Sequence, residues 1–328
     1  MRDLCAVYRR WDPHIVHHVA IQPIVLGSVA AARTRVPATV NALTGLGTAL
    51  ISRSAKARLV RPLLRSALSR ALRRSRSHTI VQNPGNSRFV ESLGVCPRRI
   101  SLVRGAGVDI RRFRPRPEPE GSVRVTMVSR LLWDKGVREF VDAATLARSV
   151  RDDIAFTLVG APDEKNPTSV SLSQVRSWVE AGLVEWWGYR EDVADVLARS
   201  HIAVLPSYGE GMPKTLLEAA ACGRPIVATD VSGCRDVVRH GVNGLLVPPR
   251  DARALADAIL SLAGEPNHRA TMGAEGRRRA ETEFAAERIN QETLQVYARA
   301  LALLPVTNGS KLPRAESRAE QGPGAHHK

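Results

Sequence analysis

From Val123 onward, short runs of consecutive apolar residues alternate with longer segments in which apolar residues recur every three or four positions. The first kind reads as a strand buried on both faces and the second as an amphipathic helix. Strands are predicted over VRVTMVS (Val123–Ser129), IAFTLVG (Ile154–Gly160), VEWWG (Val184–Gly188), IAVLPS (Ile202–Ser207), PIVATD (Pro225–Asp230) and GLLVPP (Gly244–Pro249). Helices such as KGVREFVDAATLARSV, VADVLARS and DARALADAILSLAG lie between them. That alternation predicts an α/β fold with a parallel sheet, in which ligands bind beyond the carboxyl ends of the strands. Upstream, HIVHHVAIQPIVLGSVAAARTRVPATVNALTG reads as strand, helix, strand and turn, and RSHTIVQN and RISLVRGAGVD add two strands to a smaller α/β unit. RFRPRPEPEG (Arg112–Gly121), rich in proline and charge, reads as the connection between the units. A break at Gly273–Gly276 precedes a last helix from Ala285 to Leu304, and the polar tail from 305 to 328 reads as disordered.

The stretch GEGMPKTLLEAAACGRPIVATD carries the sharpest chemistry. Pro213 suits a helix start and Gly223 a helix end, so Glu210 falls in a loop and Glu218 more than a turn inside the helix. Eight helical residues span about 12 Å. That is long for two carboxylates at one reaction centre, where glycoside hydrolases place theirs ~5–9.5 Å apart. It suits the two ends of an elongated ligand, and a nucleotide sugar has that shape. The N–H groups of Gly211 and Met212 at the helix start favour anionic or hydroxyl oxygens. Taken alone, Glu210 also fits a residue complementing the helix dipole, and Glu218 a solvated helix residue. Arg130 just past one strand and Lys135 near the next helix start can neutralise a diphosphate or serve as ordinary surface charge. At VEWWGYRED, the aromatic side chains fit a nucleobase contact or equally the core; Trp187 and Gly188 are candidates for the first, while Trp186 reads as core.

At 328 residues and 44% apolar, the chain is long enough for two domains. No apolar run reaches the ~20 residues of a membrane span, and the N-terminus has no secretory apolar block. Cys5, Cys96, Cys222 and Cys234 form no CxxC pair and no metal-spaced Cys/His cluster, so no metal site is expected. A net charge of +16 points to an anionic partner. Lysine occurs only at Lys56, Lys135, Lys165, Lys214, Lys311 and Lys328, so the charge is mostly arginine, a bias that codon usage alone can produce. With no zinc-finger spacing and only 4% aromatic residues, a nucleic-acid partner is not expected. RSAKARLVRPLLRSALSRALRRSRS (Arg53–Ser77) contains no acid. Val60, Leu64, Leu68 and Leu72 recur at helical spacing, with arginines between Arg53 and Arg76 on other faces and Pro62 marking a start or kink. The pattern fits a helix on anionic lipid and equally a solvated basic face over a core stripe.

SRLLWDKG, GYREDV, LPSYGEGMPKTLLEAAACGRPIVATDVSGCRDVV and GVNGLLVPPRD together resemble the donor-binding domain of glycosyltransferase family 4, retaining enzymes with the GT-B fold. HHVAIQPIVLGSVAAA, VNALTGLG and GAGVDIRRFRP resemble its branch for capsular and O-antigen polysaccharides, and the likeness runs from about Val16 to Leu304. The resemblance implies two Rossmann-like domains facing a cleft. Residues 1–112 would be a partial acceptor-side domain, 113–284 the donor-binding domain, and 285–304 a helix crossing back to the first. Glu210 would contact donor-sugar hydroxyls beside Gly211 and Met212, and Glu218 the ribose hydroxyls. Arg130 and Lys135 would stabilise the leaving diphosphate without a metal or other cofactor. A UDP-sugar donor, an undecaprenyl-diphosphate-linked glycan acceptor and a peripheral place on the cytoplasmic face of the plasma membrane are further implications.

Two departures stand out. Many relatives carry a histidine near the site in the N-terminal domain; Asn41 occupies that place, and His17 and His18 are the nearest other imidazoles. The family's opening strand, glycine-rich acceptor loop and first βα unit have no counterpart, so a truncated N-terminal domain with an uncovered apolar edge and face is expected. Besides the transferase, a nucleotide-sugar-binding remnant without activity remains open, as does a UDP-sugar epimerase of the same architecture, although the glutamate pair argues against the epimerase.

Overall fold

A computed structural model describes residues 1–45, 55–74 and 76–302. Gly47, Arg53 and the tail from 305 to 328 lie outside the described residues.

Among the described residues, the strands form two parallel sheets. The first has the order β1 (Ile15–Val19), β2 (Ala38–Leu43), β3 (Ser77–Val81), β4 (Ile100–Leu102). The second contains β5 (Val123–Val128), β6 (Ile154–Val159), β7 (Glu185–Trp186), β8 (Ile202–Leu205), β9 (Ile226–Thr229) and β10 (Gly244–Val247), ordered β10-β9-β8-β5-β6-β7. The chain winds outward from β5 through β6 to β7, then returns to β8 on the other side of β5. That reversal opens a crevice at the carboxyl ends of β5 and β8, the place where open α/β sheets bind ligands.

Alternation along the strands sends side chains into a separate core on each face. On one face of the first sheet, Leu43 and Val81 join Ile24, Leu68 and Leu72 from the helices α2 (Ile21–Arg33) and α3 (Ala55–Leu72). Val40, Ala42 and Ile80 point the other way, onto Ile289, Val296 and Ala300 of the last helix, α12 (Ala286–Ala302). The apolar face expected to lie open is therefore covered, because the C-terminal helix returns across it. His17 Nδ1 lies 2.7 Å from the Tyr297 hydroxyl, joining the edge strand β1 to that helix. At the other end, α1 (Arg2–Trp11) packs on α2 and its Tyr8 hydroxyl lies 2.9 Å from His18 Nε2.

The glycine break predicted at Gly273–Gly276 is absent, since α11 (Pro266–Glu283) runs through both positions. A Cβ at Gly273 would overlap the Gly223 carbonyl, and Gly276 lies against Ala220. These glycines let α11 approach α8 (Lys214–Ala221) closely, and that contact outweighs their poor helix propensity. The connection Arg112–Gly121 is fastened down along its length. Arg224 donates to the carbonyls of Arg116 and Pro117, and Arg269, buried, holds Glu118 at 3.0 and 2.8 Å. His201 Nε2 lies 2.9 Å from the Pro119 carbonyl oxygen. A segment with that composition reads as a spacer, but here its free carbonyls are taken up by side chains of the second unit.

Candidate active site

A cavity of about 690 Å³ opens at the carboxyl ends of β5, β6 and β7, beside α8. Its walls come from Ser129 and Arg130 after β5, Gly160 to Asp163 after β6, Tyr189 and Arg190 after β7, and Lys214 and Glu218 of α8. Its volume falls in the range of sites for small organic ligands. Arg112 and Phe113 of the connection close one side.

Of the residues singled out in the sequence, Arg130 and Glu218 line this cavity. The Arg130 side chain is 63% exposed and pairs with Asp163 at 3.1 Å. Glu218, 7% exposed, stands 3.5 Å from Lys214 Nζ one helical turn earlier. Burial raises the Glu218 carboxyl above its ordinary range, and Lys214 and Arg112 oppose that shift. A buried carboxylate with one flexible ammonium partner has lone pairs available to a ligand hydroxyl.

Lys135, in the 3₁₀ turn Trp133–Lys135, meets Glu210, in the loop that leads into α8. Lys135 Nζ lies 2.6 Å from Glu210 Oε1, and both side chains are largely shielded, at 21% and 11% exposure. Backbone fastening produces the meeting. The amide of Tyr208 and the hydroxyl of Ser207 both donate to the carbonyl of Asp134, at 2.9 and 3.2 Å. That ties the loop after β8 to the 3₁₀ turn Trp133–Lys135. The Tyr208 hydroxyl donates to Glu139 Oε1 at 2.7 Å, with Arg250 4.5 Å above the ring. Burial and the bond to Glu139 push the Tyr208 hydroxyl up to about 12, so it acts here as a donor and anchor.

Gly211 and Met212 sit where the two units touch. Asn83 Nδ2 donates to the Gly211 carbonyl at 3.1 Å, and Gly45 lies against the Gly211 backbone. Met212 rests on Gly105. Pro213 caps α8, which starts at Lys214, so the N–H groups of Gly211 and Met212 belong to the loop ahead of the helix.

Trp187 is not among the residues that line the cavity. Its indole donates to Glu185 at 3.1 Å and Arg124 lies 5.1 Å over the ring. Trp186 turns inward and donates to the Gly160 carbonyl at 2.8 Å. Gly188 stands behind the cavity wall, its carbonyl accepting the Gly160 amide at 2.7 Å. The aromatic ring at this wall is Tyr189, 71% exposed. Asn41, fully buried, is likewise outside the cleft, since its amide bridges His18 Nδ1 at 2.8 Å and the Ser77 hydroxyl at 2.8 Å inside the first sheet. Among the described residues no group of three His, Cys, Asp or Glu side chains is arranged to hold a metal ion.

Residues 122–265, which carry most of the cavity wall and the Lys135–Glu210 pair, match the family model described as glycosyl transferases group 1. The chain carries a group 1 glycosyl transferase domain. It is 29% identical over 311 residues to the N,N'-diacetylbacillosaminyl-diphospho-undecaprenol alpha-1,3-N-acetylgalactosaminyltransferase of Campylobacter jejuni, across 91% of this chain and 80% of that protein. With the UDP-Gal:alpha-D-GlcNAc-diphosphoundecaprenol alpha-1,3-galactosyltransferase of Escherichia coli it shares 25% identity, across 81% of this chain and 71% of that one. The glycosyltransferase superposes on Anabaena HepE, crystallised with UDP, with a TM-score of 0.76 at 20% identity, covering 91% of this chain and 81% of that one. The fold is α/β, of the GT-B type.

Behind the glutamate loop of the glycosyltransferase, α9 (Ser232–Val237) carries Asp236. Its Oδ2 is buried without a hydrogen-bond partner, and burial lifts the carboxyl from 3.8 to about 6 against the pull of Arg104, Arg235 and Arg279. Between those two values the folded chain binds more protons than the unfolded one, so stability falls as pH rises from about 4 to 6. Asp236→Asn is expected to flatten the melting temperature across that window and raise it at pH 7.5. An unchanged pH profile by calorimetry would remove Asp236 as the cause.

Proposed function

We propose that the chain transfers a sugar from a UDP-sugar to an undecaprenyl-diphosphate-linked glycan, with retention at the anomeric carbon, in the making of a surface polysaccharide such as a capsule or O-antigen. The observation that carries this reading is the cavity at the carboxyl ends of β5, β6 and β7, with Glu218 of α8 in its wall, together with the shielded Lys135–Glu210 pair in the segments just ahead of the helices that follow β5 and β8. Together they suit a ligand with hydroxyls at both ends and a diphosphate between. The two relatives that act on diphospho-undecaprenol-linked sugars support the acceptor class.

In this reading residues 113–284 bind the donor, 1–112 face the acceptor, and 285–304 tie the two together. Glu218 accepts from the ribose hydroxyls. Lys135 leaves Glu210 for the diphosphate, and Glu210 accepts from a sugar hydroxyl next to the amides of Gly211 and Met212. Arg130 leaves Asp163 in the same way. The acceptor oxygen bonds to the anomeric carbon on the face from which UDP departs. The bond from that carbon to the phosphate oxygen breaks with its electron pair on UDP, and the acceptor's proton passes to a phosphate oxygen. Lys135 and Arg130 stabilise the charge that grows on UDP, where fixed cations in a shielded site act most strongly.

Titrating the chain with UDP tests the donor half. Saturable binding is expected, with Glu218→Ala weakening it about 10- to 100-fold through the loss of hydrogen bonds to a charged acceptor. A folded chain that takes up no UDP overturns the reading.

In this reading the enzyme works at the cytoplasmic face of a membrane, where an acceptor of that class is held. Among the described residues no helix is long and apolar enough to cross one. Leu64, Leu68 and Leu72 of α3 belong to the core, but one turn of the same helix shows Leu59 at 78% and Leu63 at 73% exposure, with Arg58 beside them. An apolar turn set in arginines suits the boundary of an anionic bilayer. Sedimentation with phosphatidylglycerol vesicles is expected to fall with salt and with Leu59→Glu/Leu63→Glu. Binding indifferent to both removes the membrane from the proposal.

A further inference from the structure

The first sheet has a second concave surface at the amino ends of its strands, opposite the donor crevice. There a cavity of about 370 Å³ is lined by the side chains of Arg35, Arg74 and Arg76 over Ala31, Val36 and Thr39. β2 separates this cavity from the Thr44–Gly45 turn that touches the glutamate loop, and its six residues put the two ends about 20 Å apart.

The arrangement is held in place from several sides. The amide and hydroxyl of Thr39 both donate to the Arg76 carbonyl, at 2.9 and 3.3 Å. Arg74 Nη1 donates to the Ser28 carbonyl at 3.3 Å, and Arg99 Nη1 donates to the Arg74 carbonyl at 3.0 Å. Arg35 occupies the left-handed region at φ 59°, a conformation that costs a non-glycine residue stability and that the turn into β2 maintains. Three exposed arginines thus line one concavity, and among the described residues none of them pairs with a carboxylate. No local acid is available, because the sequence has no aspartate or glutamate between Asp12 and Glu91.

Like charges gathered in this way repel one another unless an anion joins them. Planar guanidinium forks match the oxygens of a phosphoryl group. We propose that this cavity is a second anion site, taking a phosphate or diphosphate group independently of the donor crevice. The group belongs either to a free phosphorylated molecule or to the headgroup of an anionic lipid, since both present the same oxygens.

The test titrates inorganic diphosphate into the chain by calorimetry, with the donor crevice first saturated by UDP and again without UDP. Wild-type protein is expected to show a saturable event that survives UDP, and Arg35→Gln/Arg76→Gln to weaken it by about tenfold or more. Arg35→Gly serves as a second variant, because glycine accepts the left-handed turn without strain. It is expected to melt no lower than wild type while still losing diphosphate affinity. In a parallel arm, capture by phosphatidic acid vesicles over phosphatidylcholine vesicles that falls in the variants identifies a lipid headgroup. Unchanged capture alongside lost diphosphate binding identifies a free ligand. Diphosphate binding that is absent from wild type, displaced by UDP, or equal in wild type and both variants overturns the proposal. The fate of UDP binding itself is read separately, in the Glu218 titration.

Discussion

Lys135→Ala is expected to lower the turnover number by about 10²- to 10³-fold while changing the affinity for UDP far less, the loss typical of a single fixed donor to developing charge. The asymmetry follows from the pair it leaves. In the free chain Lys135 is held 2.6 Å from Glu210 in a shielded pocket, so part of any attraction to diphosphate is spent on breaking that contact. The gain grows only as charge builds on the departing UDP, which places the effect on turnover. The partner substitution separates this from a structural role. If the pair served stability alone, Glu210→Gln would leave an unbalanced ammonium in a largely buried setting, and both variants would melt lower together. If both residues act on the donor, each loses turnover at a nearly unchanged melting temperature. Single-turnover measurements with saturating UDP-sugar decide between the two.

How much of this was legible in the sequence depended on whether a feature was local. Apolar runs ended by Gly, Pro, Asp or Ser located β5, β6, β8, β9 and β10 to within two residues at each end, because a strand buried on both faces has few other readings. Arg130 and Glu218 could be placed at the cavity from the same logic, one after a strand and one inside the following helix. Trp187 could not. The paired stretch of β7 is only Glu185–Trp186, and which of two neighbouring tryptophans turns inward depends on a hydrogen bond to Gly160, 26 positions away. Tyr189, Lys214 and Arg112 were missed as wall residues, although Lys214 stands one helical turn before Glu218, a spacing that does carry signal. Helix α1 gave little apolar signal because only Cys5 of its ten residues is buried. The unbroken course of α11 through Gly273 rests on a contact with the Gly223 backbone, and no local pattern reports that.

Gly211→Ala should cut kcat/KM by about 10²-fold or more, the size of effect a misplacement of about 1 Å produces at a reacting centre. A Cβ at this position would overlap the Thr44 carbonyl oxygen and press on Gln82, so the glutamate loop and the end of β2 could no longer meet as they do. On the other side the loop has no room to retreat, since Gly233 already lies against the carbonyls of Glu210 and Gly211. The methyl group therefore has to part the two units or displace Glu210. The cavity walls proposed to hold the nucleotide, at 128–130, 159–163, 189–191, 193, 214, 215 and 218, are not touched by either movement. UDP affinity should accordingly remain within about threefold of wild type, a difference of less than 1 kcal/mol. Calorimetry with UDP and steady-state rates on the same preparation give both numbers. Loss of both together would show that the contact between Gly211 and Thr44 holds the donor unit folded. Loss of rate alone would show that this contact sets the distance between the two halves of the reaction, with the Lys135–Glu210 pair on one side and the acceptor on the other.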